Sequence, residues 1–323
     1  ELNLTSYEIY YEEKRPFFTN NASVFYTPIN IFYSRRIGGN LIIDNYIYET
    51  SIKNALQITG KQNRGLSYGM ILSDSKLKKY EDIDSDGINS FFITRIRKDI
   101  LEGNSYIGFI STKYKNSFSA SNINSFDFLI NFLSNKLKFD GQSASSSMDS
   151  SKVGLGHSYE ISYTDKIHLD RFKFFNNNVF DTWINFEYYD KNFNINHVGY
   201  LERNNYKKLD IGIAFTKESI NKLIIQRSFN IRSEILKNFQ NDILGNFTSF
   251  NWQTDFSNYW YFDFTYLKSL TYYDDWISHT DHYVSQDTIT VKKPSSNEFK
   301  VMFGSSPLNN WSFDYQLRYF KNK

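Results

Sequence analysis

Apolar side chains recur at every second position over long stretches of this chain. Phe126, Phe128, Ile130 and Phe132 alternate with Asp127 and Asn131. Ile184, Phe186 and Tyr188 alternate with Asn185 and Glu187, and Ile211, Ile213 and Phe215 with Asp210, Gly212 and Ala214. Trp260, Phe262, Phe264 and Tyr266 frame Asp263 and Thr265, and Phe299, Val301 and Phe303 interleave with Glu298, Lys300 and Met302. Trp311, Phe313, Tyr315, Leu317 and Tyr319 interleave with Ser312, Asp314, Gln316 and Arg318. Successive side chains of a strand point to opposite faces, so each segment predicts a strand with one apolar and one wet side.

Clusters of Asn, Asp, Ser and Gly punctuate these segments. Leu101-Glu102-Gly103-Asn104, Asn204-Asn205 and Ser305-Ser306-Pro307-Leu308-Asn309-Asn310 read as turns. Longer polar stretches at residues 73–89, 143–153, 166–181 and 274–296 read as loops. Short turns alternating with longer loops are the habit of outer-membrane barrels. One stretch, Ser233 to Leu244, reads as a turn or two of helix. No apolar run approaches the roughly 18 residues that a membrane-spanning helix needs.

The same alternation suits a soluble β-sandwich or propeller. Two features turn the reading to the membrane. The apolar faces are dominated by Phe, Tyr and Trp, as in aromatic girdles around an apolar band. The strands are long, and their wet faces carry charges, with few compact aliphatic clusters to fill a sandwich core. The expected fold is all-β: one antiparallel transmembrane β-barrel domain over residues 1–323, complete or partial, with about 12–16 strands.

Composition sharpens this. The chain has 323 residues with 30 Phe and 25 Tyr, yet a mean hydropathy of −0.53. A strand with one face in lipid and one in water reconciles the two. Only 4 Pro interrupt it. Charge is near balance, 37 Lys+Arg against 35 Asp+Glu, which removes the basic field that nucleic-acid binding requires. With no cysteine there is no disulfide, thiolate metal site or Cys nucleophile. No signal peptide is visible at Glu1, so the sequence reads as a mature form or an internal piece.

Several segments, in order, carry a resemblance. They are Glu13-Lys14-Arg15-Pro16-Phe17-Phe18, Phe32-Tyr33-Ser34-Arg35-Arg36-Ile37-Gly38, Ile58-Thr59-Gly60-Lys61 and Gly65-Leu66-Ser67-Tyr68-Gly69. They continue through Thr94-Arg95-Ile96-Arg97-Lys98-Asp99, Gly103-Asn104-Ser105-Tyr106-Ile107-Gly108 and Tyr189-Asp190-Lys191-Asn192-Phe193-Asn194. The last is Val198-Gly199-Tyr200-Leu201-Glu202-Arg203-Asn204-Asn205. Together they resemble an uncharacterised bacterial outer-membrane barrel family, a domain of unknown function. That family commonly follows a domain like the family-nine carbohydrate-binding modules, and it usually carries further strands. The resemblance implies outer-membrane location and a chain lacking both that domain and some strands. A sugar-binding role of the missing domain does not transfer to these residues.

Candidate sites follow. Glu13, Lys14 and Arg15, with Glu12 beside them and Arg35 and Arg36 further on, form the densest charge constellation near the start. Inside a barrel they would either constrict the lumen in favour of anions or pin a plug through ion pairs. Asp82, Asp84 and Asp86 before Gly87 match the first half of a calcium loop. The twelfth position, where calcium needs a bidentate Glu, is Ile93, so an acidic solvated loop is the reading and no metal is assigned. Asp274, Asp275, His279, Asp281 and His282 are metal-like in type but fit no ligand spacing. His157, His168 and His197 are isolated, with His157 on a face with Leu155, Tyr159 and Ile161. No nucleophile elbow, phosphate loop or dinucleotide fingerprint occurs.

Three functions remain. The leading one is passage or capture of a polar solute, a saccharide among the candidates, with Trp183 and Tyr189 beside Glu187 available for stacking. The second is a structural anchor or assembly barrel for the missing domain. The third is a carbohydrate-active hydrolase associated with that domain, although no catalytic constellation supports an enzyme. The partners implied are the lipid bilayer, the outer-membrane assembly machinery and the solute. No cofactor is implied.

Overall fold

The computed structural model describes residues 10–43, 46–77, 87–149, 152–167, 177–218, 221–275, 290–305 and 312–322. An irregular N-terminal segment comes first. It contains one helical turn, α1 (Pro16–Thr19), and two 3-10 turns, Ala22–Phe25 and Ser34–Arg36. A short ribbon of β1 (Leu41–Ile43) and β2 (Tyr46–Tyr48) follows. The main strands begin with β3 (Thr50–Lys61), β4 (Leu66–Leu77), β5 (Ile88–Ile100), β6 (Ser105–Lys115) and β7 (Ala120–Phe132). Next come β8 (Leu137–Met148), β9 (Gly154–Ile167), β10 (Asn178–Tyr189), β11 (Tyr206–Glu218) and β12 (Ile224–Lys237). After β13 (Ile243–Phe256) and β14 (Trp260–Ser269), a second ribbon pairs β15 (Tyr272–Asp274) with β16 (Val291–Lys293). The last two main strands are β17 (Ser296–Ser305) and β18 (Asp314–Asn322).

These main strands form one 14-stranded antiparallel sheet in chain order from β3 to β14, then β17 and β18. The strand number falls inside the expected span. The sheet is open: among the described residues β3 and β18 each pair on one side only, so it is a large antiparallel sheet that is not closed into the expected barrel. Its strands run from 9 residues in β18 to 14 in β9, against the 5–6 typical of globular proteins.

Two sequence expectations are corrected. Ser233 to Leu244 is not helical. β12 runs through Lys237, because Arg232 and Glu234 alternate with Ser233 and Ile235 and pair on both sides, and β13 starts at Ile243. Of the polar stretches expected as loops, residues 73–77 and 88–89, 143–148, 166–167 and 178–181, and 274, 291–293 and 296 belong to strands, while 78–86, 150–151, 168–176 and 276–289 lie outside the described residues. Small polar residues such as Ser73, Ser75 and Ser146 sit there on a covered face, where they look like loop residues in sequence.

Register sorts the side chains into two faces. One carries Leu56, Ile58, Leu72, Ile96, Phe109, Phe126, Ile161, Ile184, Phe186, Ile211, Ile231, Trp252 and Phe299, all exposed. Its charged residues, such as Lys98, Lys113, Lys207, Arg227 and Lys268, fall near strand ends. The other face, here termed polar, is mixed: it carries apolar residues such as Ile71, Phe91, Ile93 and Ile110 on β4 to β8, and charged residues such as Glu187, Asp210 and Arg232 further along. The buried core lies on that polar face, where the N-terminal segment and the β10–β11 connection pack against β4 to β8. Among the described residues no helix is long and apolar enough to cross a membrane, which says nothing about strands.

Candidate functional site: a polar face with a resident plug

The N-terminal segment supplies Phe18, Phe25, Ile29, Ile31 and Ile37 to the core. The β10–β11 connection adds Phe193, Ile195 and Val198, and the sheet answers with Ile71, Phe91, Ile93, Ile110, Ile123 and Ala144. The two irregular pieces are stitched together by backbone bonds, Tyr33 N to Val198 O at 2.8 Å and Tyr200 N to Asn30 O at 2.9 Å. They form one plug from two distant parts of the chain.

Glycines on the polar face make room for it. A Cβ on Gly69 would lie 2.6 Å from the Phe25 ring, and one on Gly156 would lie 2.5 Å from the Phe193 ring. Polar latches complete the seat. Gln142 accepts the Ile29 N–H and donates to Ser125 Oγ at 2.7 Å. Arg95, 1% exposed, forms a two-pronged ion pair with the fully buried Asp127, its Nη2 donating to Oδ2 at 2.7 Å. Its Nε reaches Val24 O at 3.3 Å in the plug. A Cβ on Gly108 would sit 2.6 Å from that guanidinium. Removing either partner of such a pair strands a buried charge.

The sequence candidates Glu13, Lys14, Arg15, Arg35 and Arg36 all lie in the plug rather than on a strand. Glu13 is the hub of a clasp. It accepts from Arg15 Nε at 2.9 Å, Arg15 Nη2 at 2.7 Å, Ser34 Oγ at 2.6 Å and the Arg15 backbone N–H at 2.8 Å. Burial works against its charged form, but the Arg15 and Ser34 bonds outweigh burial and hold the carboxyl at about 2, below the ordinary 4.5. Arg15 also donates to Ile37 O at 2.7 Å and Ser34 O at 2.8 Å, and covers the Phe18 ring at 4.4 Å. The clasp thereby ties α1 to the Ser34–Arg36 turn. Arg35 donates twice to Glu12 O, at 2.9 and 2.7 Å. Arg36 donates to Gly199 O at 3.0 Å, crossing from one plug piece to the other. Lys14 is exposed and has no ion-pair partner among the described residues.

The β10–β11 piece carries His197, whose ring stacks on Tyr114 of β6 at 4.8 Å. Burial pushes its imidazole below the usual range; nearby Asp149 acts in the opposite direction. His157 is on the apolar face, 3.0 Å from Ser143 Oγ. Asp275 pairs with Arg203 at 3.1 Å. Asp82, Asp84, Asp86, His168, His279, Asp281 and His282 lie outside the described residues. Among the described residues no group of three or more acidic or imidazole side chains is placed to hold a metal.

From β10 onward the polar face is wet. Glu187 accepts from Tyr206 at 2.6 Å and pairs with Lys208, while Arg232 bridges Asp210 and Glu234, each at 2.8 Å. Arg318 pairs with Glu298 at 2.7 Å. Beyond them a cavity of about 550 Å³ is lined in part by Gln253, Asp255, Tyr259, Tyr261, Asp263 and Met302. The Trp183 ring lies over Gly212, where any Cβ would collide with it. Sequence reading missed the Arg95–Asp127 pair, Gln142 and the second plug piece. The signal for them was present in Phe91-Phe92-Ile93, an apolar run whose strand must be covered on both faces.

Comparison with curated proteins and with solved structures returns no match. A family model described as "Domain of unknown function (DUF5916)" matches residues 1–323. That match spans the whole sequence, and the chain belongs to the DUF5916 family.

Proposed function

We propose that this chain spans a bacterial outer membrane as a β-barrel that passes or captures a polar solute and carries its own plug. One observation carries the reading. Across 14 strands a single face exposes Phe, Ile, Leu, Tyr and Trp, with its charges near strand ends. In water so large an apolar surface is a liability, whereas in lipid it is the required coat. Strands of 9 to 14 residues suit a tilted crossing, which needs about 9–11. Lipid does not tolerate an unpaired sheet edge, so the reading requires β3 and β18 to gain partners, from each other or from another strand. The paired charges and carboxamides of β10 to β18 then line the lumen, and Glu13, Arg15, Arg35 and Arg36 hold the plug together inside it.

A second reading, an anchor with a sealed lumen, is favoured by the plug filling the polar face of β4 to β8. Planar-bilayer recording of the reconstituted chain separates the two. A solute path predicts steps of conductance that grow in Arg36→Ala, whose bond to Gly199 joins the plug pieces. Insertion with no conductance in either protein leaves the anchor. Failure to insert into bilayers removes both.

A further inference from the structure

We propose that the wet face between β10 and β12 is a binding subsite for a neutral saccharide, with the Trp183 ring as its platform. The inference rests on the barrel reading and names the solute class for it. Trp183 shares the polar face with Asn185 and Glu187, and the register aligns it with Gly212 and then Arg232. Because Gly212 has no side chain, the indole lies across the neighbouring strand, one flat side supported by backbone. Trp183 is half-buried and has no ring partner among the described residues. An indole face so presented suits the C–H faces of a sugar ring, apolar enough to leave water and weakly positive toward the π cloud.

The surroundings supply hydroxyl-binding groups and no excess positive charge. The carboxamides of Asn185 and Asn230 have no side-chain partner among the described residues, and both occupy this face. Arg232 is 40% exposed; its Nε and Nη2 bind Asp210 and Glu234, which leaves Nη1 as a donor without a partner among the described residues. The two cations, Lys208 and Arg232, face three carboxylates, Glu187, Asp210 and Glu234, through short contacts, which leaves one excess negative charge that disfavours an anionic sugar. Charges engaged with one another hold a free ion weakly, yet their remaining lone pairs and N–H groups still take hydroxyls. A few fixed polar groups around an apolar platform are the usual make-up of a small-molecule site.

The test uses the full chain in lipid nanodiscs, with maltohexaose, an oligogalacturonate of equal length and a polyethylene glycol of similar mass as calorimetric probes. Saturable binding of maltohexaose is expected, weakened about tenfold or more in Trp183→Ala and less in Trp183→Phe. Gly212→Ala, which keeps the indole but displaces it, should weaken binding comparably to Trp183→Ala. Quenching of Trp252 on the apolar face by brominated lipids, measured in the same discs, reports insertion of every variant. Quenching without saturable maltohexaose binding overturns the saccharide site and leaves the barrel standing. Absence of quenching in the unaltered chain overturns the barrel reading and the site that rests on it. Binding unchanged in Trp183→Ala, or oligogalacturonate or polyethylene glycol bound as tightly as maltohexaose, also overturns it.

Discussion

The polar face of the sheet has two halves with opposite contents. On β4 to β8 it holds Ile71, Phe91, Ile93, Ile110, Ile123 and Ala144, sealed beneath the plug. On β11 to β17 the same face holds Arg232, Glu234, Asn251, Asp263 and Lys300, all partly exposed, with Asp210 buried against Arg232. Charge appears in both halves but under different rules. Arg95 and Asp127 are 1% and 0% exposed and form an ion pair with each other, whereas Arg232 is 40% exposed and is shared by two carboxylates. The contrast teaches that what occupies a face, and not the strand pattern, decides whether its residues pack or stay solvated.

The sharpest way to break the contrast is to remove one carboxylate from each half. Asp127→Ala should destabilise the protein by about 3–5 kcal/mol, since the stranded Arg95 has no water to turn to. Asp210→Ala should cost about 1 kcal/mol or less, because Arg232 keeps Glu234 and solvent. Urea titrations of both in lipid vesicles decide it, and equal losses would show that the halves do not differ in dielectric.

The two faces come next. Phe109→Arg, mid-strand on the apolar side of β6, should cost about 2–4 kcal/mol in lipid, while Asn251→Arg on the wet half should cost far less. Folding yields into vesicles that fall equally for both would remove the membrane reading.

Glycine gives a finer version. Gly156→Ala puts a methyl 2.5 Å from the Phe193 ring and should cost about 1–3 kcal/mol by loosening the plug. Gly245→Ala on the open half meets nothing closer than 3.5 Å and should stay within about 0.5 kcal/mol of the parent. Proteolysis of residues 10–40 reads the first effect directly: Gly156→Ala should be cut faster, and Gly245→Ala should not.

Acid sensitivity probes the clasp inside the plug. The Glu13 carboxyl is held at about 2 in the folded plug against 4.5 in an open chain. Its contribution is therefore complete above about 4.5 and drains away as pH falls toward 2. Proteolysis of the plug should accelerate over that window in the parent, and Glu13→Gln should flatten that part of the profile. A profile that is the same in both would remove the clasp from the account.

Much of the wall was legible in sequence. The alternating runs at 126–132, 184–188, 211–215, 260–266 and 299–303 all lie in strands with the assigned faces, because period two admits one register against a neighbour. The plug was not legible as an object. Its residues have no period, and its two pieces, 10–40 and 190–205, meet through tertiary contacts that local pattern does not encode. Glu13, Arg15, Arg35 and Arg36 stood out because charge beside Phe and Tyr needs a reason. Their backbone acceptors, such as Ile37 O and Gly199 O, have no signature in a sequence. Gly69, Gly108 and Gly156 read as weak points of strands, and only the rings and the guanidinium they admit explain them.

The absence of cysteine makes the central claim directly measurable. Single cysteines placed in turn from residue 261 to 266 of β14, spin-labelled in bilayers, report which reagent reaches each position. The account predicts that labels at 262, 264 and 266 collide with lipid-dissolved oxygen and those at 261, 263 and 265 with a water-soluble nickel complex, alternating strictly. Water access at all six positions, or no alternation, would contradict a membrane-spanning wall.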